Sequence, residues 1–199
     1  MPGKKESEAL RREQIVQAAF RVTAREGLEQ LTIRLVATEA GLSTGLVFFH
    51  FDSKDTLLLA LLDWLLDSLF ERWEASENVF PAERLLTLIQ LDLQDLSQDE
   101  QGAARLDLFF TYWTLAIHDP AIKERIRQAI ERSRQAFLPA VQALIESDPV
   151  RFHHVTPEGL VTVVIGIAQG CAMQALLNDH RVDVEQILTV IRALLIPLS

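Results

Sequence analysis

Cysteine is almost missing from this 199-residue chain, which has one Cys, one Tyr and two Met. The lone Cys171 excludes an intramolecular disulfide and fits a reducing compartment, so the cytoplasm is the expected location. Glycine and proline are scarce too, at eight and seven, against 49% hydrophobic residues, which leaves ample material for a large core. Long uninterrupted apolar runs are lacking: those at 57–66 and 160–177 are broken or flanked by Asp63, Gln169 and Glu158, and no membrane span is expected. The basic start "MPGKKESEALRREQ" is followed by no apolar stretch, so no secretory signal is expected. No nucleophile–base pair, phosphate loop or metal spacing is evident, which argues against an enzyme and against a cofactor.

Positive charge is also in deficit, with 19 Lys and Arg against 28 Asp and Glu and a net charge of −9. Its distribution matters more than its sum. Residues 1–55 hold eight of each sign, so the whole excess of acid lies in residues 56–199. A nucleic-acid-binding segment fits the first quarter if its cations share one face.

What is there reads almost entirely as helix. Leu10, Ile15, Ala19, Val22 and Thr23 fall near one face of a first helix that Gly27 ends. Thr32 caps a short second helix, in which Ile33, Val36, Ala37 and Ala40 follow helical spacing. Gly41 stops it, Ser43 caps a third over about 44–50, and Ser53 caps a long fourth from Lys54 to about Ala75. Pro81 opens a fifth reaching about Leu96, and a sixth spans about 101–117. Asp119-Pro120 opens a seventh to about Ser147, in which Pro139 predicts a kink or two helices end to end. Pro157 opens an eighth to about Asn178, and Asp183 caps a ninth to about Leu195. The expected fold is all-α, with about nine helices.

The segment "AGLSTGLVFFHFDSKDTLL" places five apolar residues and a histidine between a Gly-Ser turn and a helix start. A buried strand accounts for the apolar run alone. Two short helices joined by "AGLS" account for all of it as a helix-turn-helix, whose second helix packs one face and offers the other to a major groove. Val47 and Phe51 can then pack inward while Thr44, Phe48 and His50 point elsewhere. Lys54 opposes the dipole of the helix it begins, a conflict that a docked phosphate would resolve.

The stretch "QIVQAAFRVTAREGLEQLTIRLVATEAGLSTGLVFFHFDSKDTLLLAL", residues 14–61, resembles the N-terminal region of TetR-type transcriptional regulators. The "AA" of the first helix, "AGLS.G", "F.HF" and "SK..LL" carry the likeness. It implies a ligand-responsive DNA-binding regulator, most often a repressor, that acts as a homodimer on a near-palindromic operator. It also implies a DNA-binding domain over residues 1–55 and a ligand-binding and dimerisation domain over 56–199. Matching positions put Thr32, Ser43, Thr44, Phe48, His50 and Lys54 on DNA, mainly at phosphates, and Leu46 and Phe49 share the same helix. The family usually has Tyr at position 48, so a phosphate hydroxyl contact is missing here, and Leu35 and Leu46 also depart from its pattern. The segments "FFTYWTLAIHDPAIKERIRQAI" and "GIAQGCAMQALLNDHRVDVEQILTVIRALL" resemble the BetI-like subgroup, which includes choline-responsive repressors.

For the remaining features plainer readings stand beside the functional ones. Trp64, Phe70, Phe109, Phe110, Tyr112, Trp113 and Phe137 pack a core or line a small-molecule pocket. The pocket candidates are Trp64, Phe109, Phe110, Thr111, Tyr112, Trp113, Thr114, His118, Gln169 and Met173. The small residues Gly166, Ala168, Gly170, Ala172 and Ala175 permit close helix packing. The family's dimer bundle of the last two helices assigns Gly166, Gly170 and Ala172 to an interface. Lys4, Lys5, Arg11 and Arg12 are a solvated tail or steer DNA. His153-His154 lacks ligand spacing, so no metal is expected. A helical protein-interaction module without DNA binding is the alternative.

If position 48 faces phosphate, Phe48→Tyr restores one hydrogen bond and tightens DNA binding by about 0.5–1.5 kcal/mol in a titration by fluorescence anisotropy. Weaker binding by that variant means that the ring itself makes an apolar contact.

Overall fold

The computed structural model describes residues 4–74, 81–93, 100–177 and 183–195, and these contain helices and no strand. In chain order they are α1 (Lys4–Glu26), α2 (Ile33–Ala40), α3 (Thr44–His50), α4 (Lys54–Glu74), α5 (Pro81–Leu93), α6 (Glu100–Leu115), α7 (Pro120–Ser147), α8 (Pro157–Leu177) and α9 (Val184–Leu195). The expected helix ends at Ala75, Leu96 and Asn178 lie outside the described residues. One element was not foreseen, a 3-10 turn at Leu28–Gln30 that carries the chain from α1 to α2.

Side-chain caps explain where the helices begin. The Thr32 hydroxyl accepts from the Leu35 amide and the Ser43 hydroxyl from the Leu46 amide, each at 3.2 Å. Ser53 and Thr56 cap α4 reciprocally, with each backbone amide donating to the other's hydroxyl at 3.0 and 3.1 Å. The Asp119 carboxylate accepts from Ala121 and Ile122, and that of Asp183 from Gln186. Each cap satisfies an amide that has no partner inside its helix. Gly41 closes α2 at φ 68°, a left-handed conformation that favours glycine, and so sets the turn between α2 and α3.

The first three helices close over Ile15, Ala18, Ala19, Val22, Leu31, Val36, Val47 and Phe51, all buried. Leu10 does not join them. It is 57% exposed, because α1 extends a turn beyond the helices that cover it. The α1 helix packs on α4 and α6, while α5, α6 and α7 pack around α8, and α9 lies on α5. The α7 helix continues through Pro139 as one element, so it is not two helices end to end. Proline gives up one backbone hydrogen bond there, and the burial of Phe137, Ala140, Val141 and Leu144 around it holds the helix together.

By length and mean hydropathy, 1.9 over its apolar window, α8 is apolar enough to cross a membrane. No membrane span is expected from the sequence, where Glu158 flanks this run and Gln169 interrupts it. One face of α8, with Leu160, Val161, Val164, Ile165, Ala168, Ala172 and Ala175, is buried in the bundle.

Tyr112 joins the two halves of this packing. It is fully buried, and its hydroxyl donates to the Leu58 carbonyl of α4 at 2.7 Å. Burial, with Asp63 adding to it, pushes the phenol's pKa well above its usual value, so it remains a donor at neutral pH. Tyr112→Phe keeps the ring and loses the bond, and lowers stability by about 0.5–1.5 kcal/mol. Urea unfolding should show a lower midpoint with an unchanged slope; an unchanged midpoint means that the bond contributes nothing net.

Candidate functional site

Two places in the fold carry the candidate residues. The first is the outer surface of α2, α3 and the start of α4. Val47 and Phe51 turn inward and are almost wholly buried, as their spacing predicts. Thr32, Ser43, Thr44, Phe48 and Phe49 are exposed, and Leu46, His50 and Lys54 are half-buried. Phe49 is 75% exposed with its ring edge-on to His50 at 5.2 Å, so this face offers apolar as well as polar surface. The His50 ring has its Nδ1 buried with no hydrogen-bond partner among the described residues. Arg34 of α2 also lies exposed on its helix, and Lys54 stands at the first turn of α4.

The position of this surface is set from α1, by Gln14, Arg21 and Arg25, to which the sequence assigns no role, and by Arg12, expected as a tail or steering cation. Gln14 donates to the Ala40 carbonyl at 2.9 Å, at the end of α2. Arg12 donates to the His50 carbonyl at the end of α3, and its guanidinium lies 4.2 Å over the Phe51 ring. Arg12 therefore holds the recognition unit in place; the alternative of a free tail cation is corrected. Its signal was available in principle, since a helix C-terminus favours a cation, but the partner lies 38 residues away. Arg21 and Arg25 of α1 both pair with Glu39 of α2, at 2.7 and 3.2 Å. The two arginines lower the Glu39 pKa through their hydrogen bonds.

The second place is a cavity of about 90 Å³ between α4, α6, α7 and α8. Leu65, Leu66, Ser68, Leu69 and Phe70 line it from α4, and Arg105, Leu106, Phe109, Phe110 and Trp113 from α6. Ile126, Ala129, Ile130 and Ser133 complete it from α7, with Ile165, Ala168, Gln169 and Ala172 from α8. The α7 and α8 walls include the small side chains of Ala129, Ser133, Ala168 and Ala172, opposite the large rings of α6.

Four expected pocket residues, Phe109, Phe110, Trp113 and Gln169, meet there. Six do not. Trp64 packs on Phe20 of α1, with ring centroids 5.1 Å apart, beside a shallow cleft of Glu13, Asp63, Asp67 and Glu71. Tyr112 points at α4, as described. Thr111 and Thr114 spend their hydroxyls on carbonyls of their own helix, Asp107 and Phe110, on the exposed side of α6. His118 is exposed beyond the end of α6, and Met173 points outward at 54% exposure. Helical spacing could have removed Thr111, which lies across the helix from Phe109 and Trp113, but not Thr114, which is one turn on from the cavity-lining Phe110.

Gly166 is exposed and Gly170 half-exposed, and nothing lies within 4 Å of where a Cβ would stand on either. Their stripe continues through the exposed Val163, Met173 and Leu177. Ala172 is not on it. That residue is 6% exposed and lines the cavity, because six residues from Gly166 is about one and two-thirds turns and leads to another face. The rings of His153 and His154 lie with centroids 3.7 Å apart and planes tilted by 42°, and the described residues contain no group of three or more His, Cys, Asp or Glu placed to hold a metal ion.

Comparison with known proteins agrees with this architecture. Residues 15–61 match the family of bacterial regulatory proteins of the tetR type, and residues 81–196 match the BetI-type transcriptional repressor C-terminal family. The HTH-type transcriptional regulator BetI of Vibrio campbellii is 25% identical over 92% of this chain and 88% of its own. That of Stenotrophomonas maltophilia is 33% identical over 60% of this chain, and the match spans 61% of the relative's length. The solved structure of a TetR transcription regulator from Haloarcula marismortui has a TM-score of 0.79 at 27% identity, covering 92% of this chain and 93% of that one. With the second family model covering more than half of its residues, the chain belongs to the TetR family of ligand-responsive, DNA-binding transcriptional regulators, in its BetI-type branch.

Proposed function

We propose that this protein is a repressor that acts as a homodimer on a near-palindromic operator and leaves it when a small molecule fills the cavity. The reading divides the chain into a DNA-binding domain, residues 1–55, and a ligand-binding and dimerisation domain, residues 56–199. It carries no catalytic step, and it places the protein with the chromosome in the cytoplasm. The observation that supports it most is the course of α4. That helix begins at Lys54, beside α3, and its Leu65, Leu66, Ser68, Leu69 and Phe70 line the cavity about 16 Å further along. Three contacts pin α4 to the cavity's other walls: Tyr112 to Leu58, Arg125 to Asp63 at 2.8 Å and Arg132 to Asp67 at 3.4 Å. A ligand that parts α6 and α7 from one another therefore pulls on the helix that carries the recognition unit. To release DNA it must bind the DNA-incompetent arrangement more tightly.

On the DNA side, Thr32, Ser43, Thr44, Leu46, Phe48, Phe49, His50 and Lys54 form the contact surface, with the start of α3 in the major groove. Two such units related by a two-fold read half-sites about one helical turn apart. The outward stripe of α8, Val163, Gly166, Gly170, Met173 and Leu177, with Val190 and Leu194 of α9, is the surface that pairs in the dimer. Leu177 is 84% exposed, an unfavourable place for a leucine in a monomer.

Selection of bound sites from random DNA should yield sequences with dyad symmetry, bound more weakly as salt rises. An absence of salt-dependent DNA binding would favour a protein-interaction module instead. On a selected site, Lys54→Ala should weaken binding to specific and scrambled duplexes alike and lower the salt slope by about one per half-site. Thr44→Ala should change base preference and leave the slope nearly intact, since the start of a recognition helix reaches base edges. The reverse pattern overturns this division of roles.

The dimer has its own test. Gly166→Leu has room in the monomer, so its fold should hold while sedimentation shows self-association weakened at least about tenfold, roughly 1.4 kcal/mol. A dimer unchanged by this and by Gly170→Leu places the interface elsewhere.

A further inference from the structure

Among the residues lining the cavity, Arg105 is the one ionisable side chain. Its Nε is buried and has no hydrogen-bond partner among the described residues. The serine hydroxyls nearby do not reach it and donate within their own helices, Ser68 to the Leu65 carbonyl at 2.7 Å and Ser133 to the Ala129 carbonyl at 2.9 Å. A guanidinium does not lose its proton in a protein, so a buried, unpaired N–H of this kind is a standing cost until an acceptor arrives. Among the described residues no carboxylate lines the cavity to supply one. We infer that the ligand of this cavity is a monocarboxylate with an apolar tail, its headgroup on Arg105 and its tail against Phe109 and Trp113.

The chemistry on each side supports this choice. A carboxylate matches the planar fork of a guanidinium with two parallel N–H···O bonds, and the bond is stronger where water is excluded. A quaternary ammonium headgroup such as choline's would find aromatic faces here. It would also share a low-dielectric space with a fixed cation and no compensating acid. The volume of about 90 Å³ suits a ligand on the order of ten heavy atoms, given about 10–15 Å³ for a single water-sized group. Arg105, Phe109 and Tyr112 are spaced by four and three residues and share one side of α6. A carboxylate that draws Arg105 inward thus acts on the same helix that Tyr112 ties to Leu58. This inference rests on the proposed release by a small molecule and names the chemical class of that molecule.

Three probes with one tail separate the headgroups: octanoate, octanol and octyltrimethylammonium. Titration of the full-length protein by calorimetry and tryptophan fluorescence should show saturable binding of octanoate at least about tenfold tighter than of the other two. Arg105→Gln should remove the advantage of octanoate over octanol, and Arg105→Lys, which keeps the charge without the fork, should retain part of it. Ala168→Leu, which fills the cavity from α8 without touching the cation, should weaken octanoate and octanol together. Equal binding of octanoate and octanol, tighter binding of octyltrimethylammonium, or an octanoate affinity indifferent to Arg105→Gln overturns the inference, as does no binding of any probe. If octanoate binds through Arg105 but leaves operator affinity unchanged, the carboxylate assignment stands and the proposed release by ligand falls.

Discussion

A single unbroken helix, α4, joins the surface that carries Lys54 to the wall of the cavity, and the proposed release by ligand depends on its being rigid. A loop in that place would absorb a displacement; a helix of 21 residues transmits it. Buried leucines pack it along its length, and specific polar contacts among the described residues tie it to α6 and α7. The buried Tyr112 hydroxyl meets the Leu58 carbonyl, and Arg125 and Arg132 of α7 meet Asp63 and Asp67. The first is a buried bond whose loss would be felt, and the two partly exposed ion pairs act more as guides than as sources of stability.

At the other end of α4 the recognition unit is held by α1. The last carbonyls of α2 and α3 would stand unsatisfied at the surface, and Gln14 and Arg12 answer them from outside. Arg21 and Arg25 add a charge pairing to Glu39 on the same two helices. The result is that α2 and α3, of eight and seven residues and too short to be stable alone, move as one body with α1. This also explains why so much positive charge in the first quarter of the chain faces protein. Fewer cations remain for DNA than the raw count suggests, and the exposed rings of Phe48 and Phe49 enlarge the apolar share of that face.

The body shows two kinds of unfilled apolar surface on one helix. The inner face of α8 borders the cavity with Ala168, Gln169 and Ala172, and the outer face shows Gly166, Gly170, Met173 and Leu177. A helix apolar on both sides is a core helix by composition, and here one side has its core within the described chain. The proposed dimer would supply the other.

Local chemistry made the helix starts legible without a structure. A Thr, Ser or Asp side chain reaches only its own next turn, so the caps at Thr32, Ser43, Ser53, Asp119 and Asp183 could be read from neighbouring residues alone. The glycine turn at Gly41 and the inward faces of Val47 and Phe51 follow from the same short range. Tertiary packing decided the rest. Phe109, Tyr112 and Trp113 are all aromatic and share one broad side of α6, yet two line the cavity and one ties α6 to α4, because the packing of α4 decides which ring meets a backbone carbonyl. Periodicity shows which residues share a face, but not which faces are covered or what leaves a space between them. Arg12 and Arg105 make the same point with charge: each looks like a surface cation, and the fold sets one on a distant carbonyl and the other at a cavity wall.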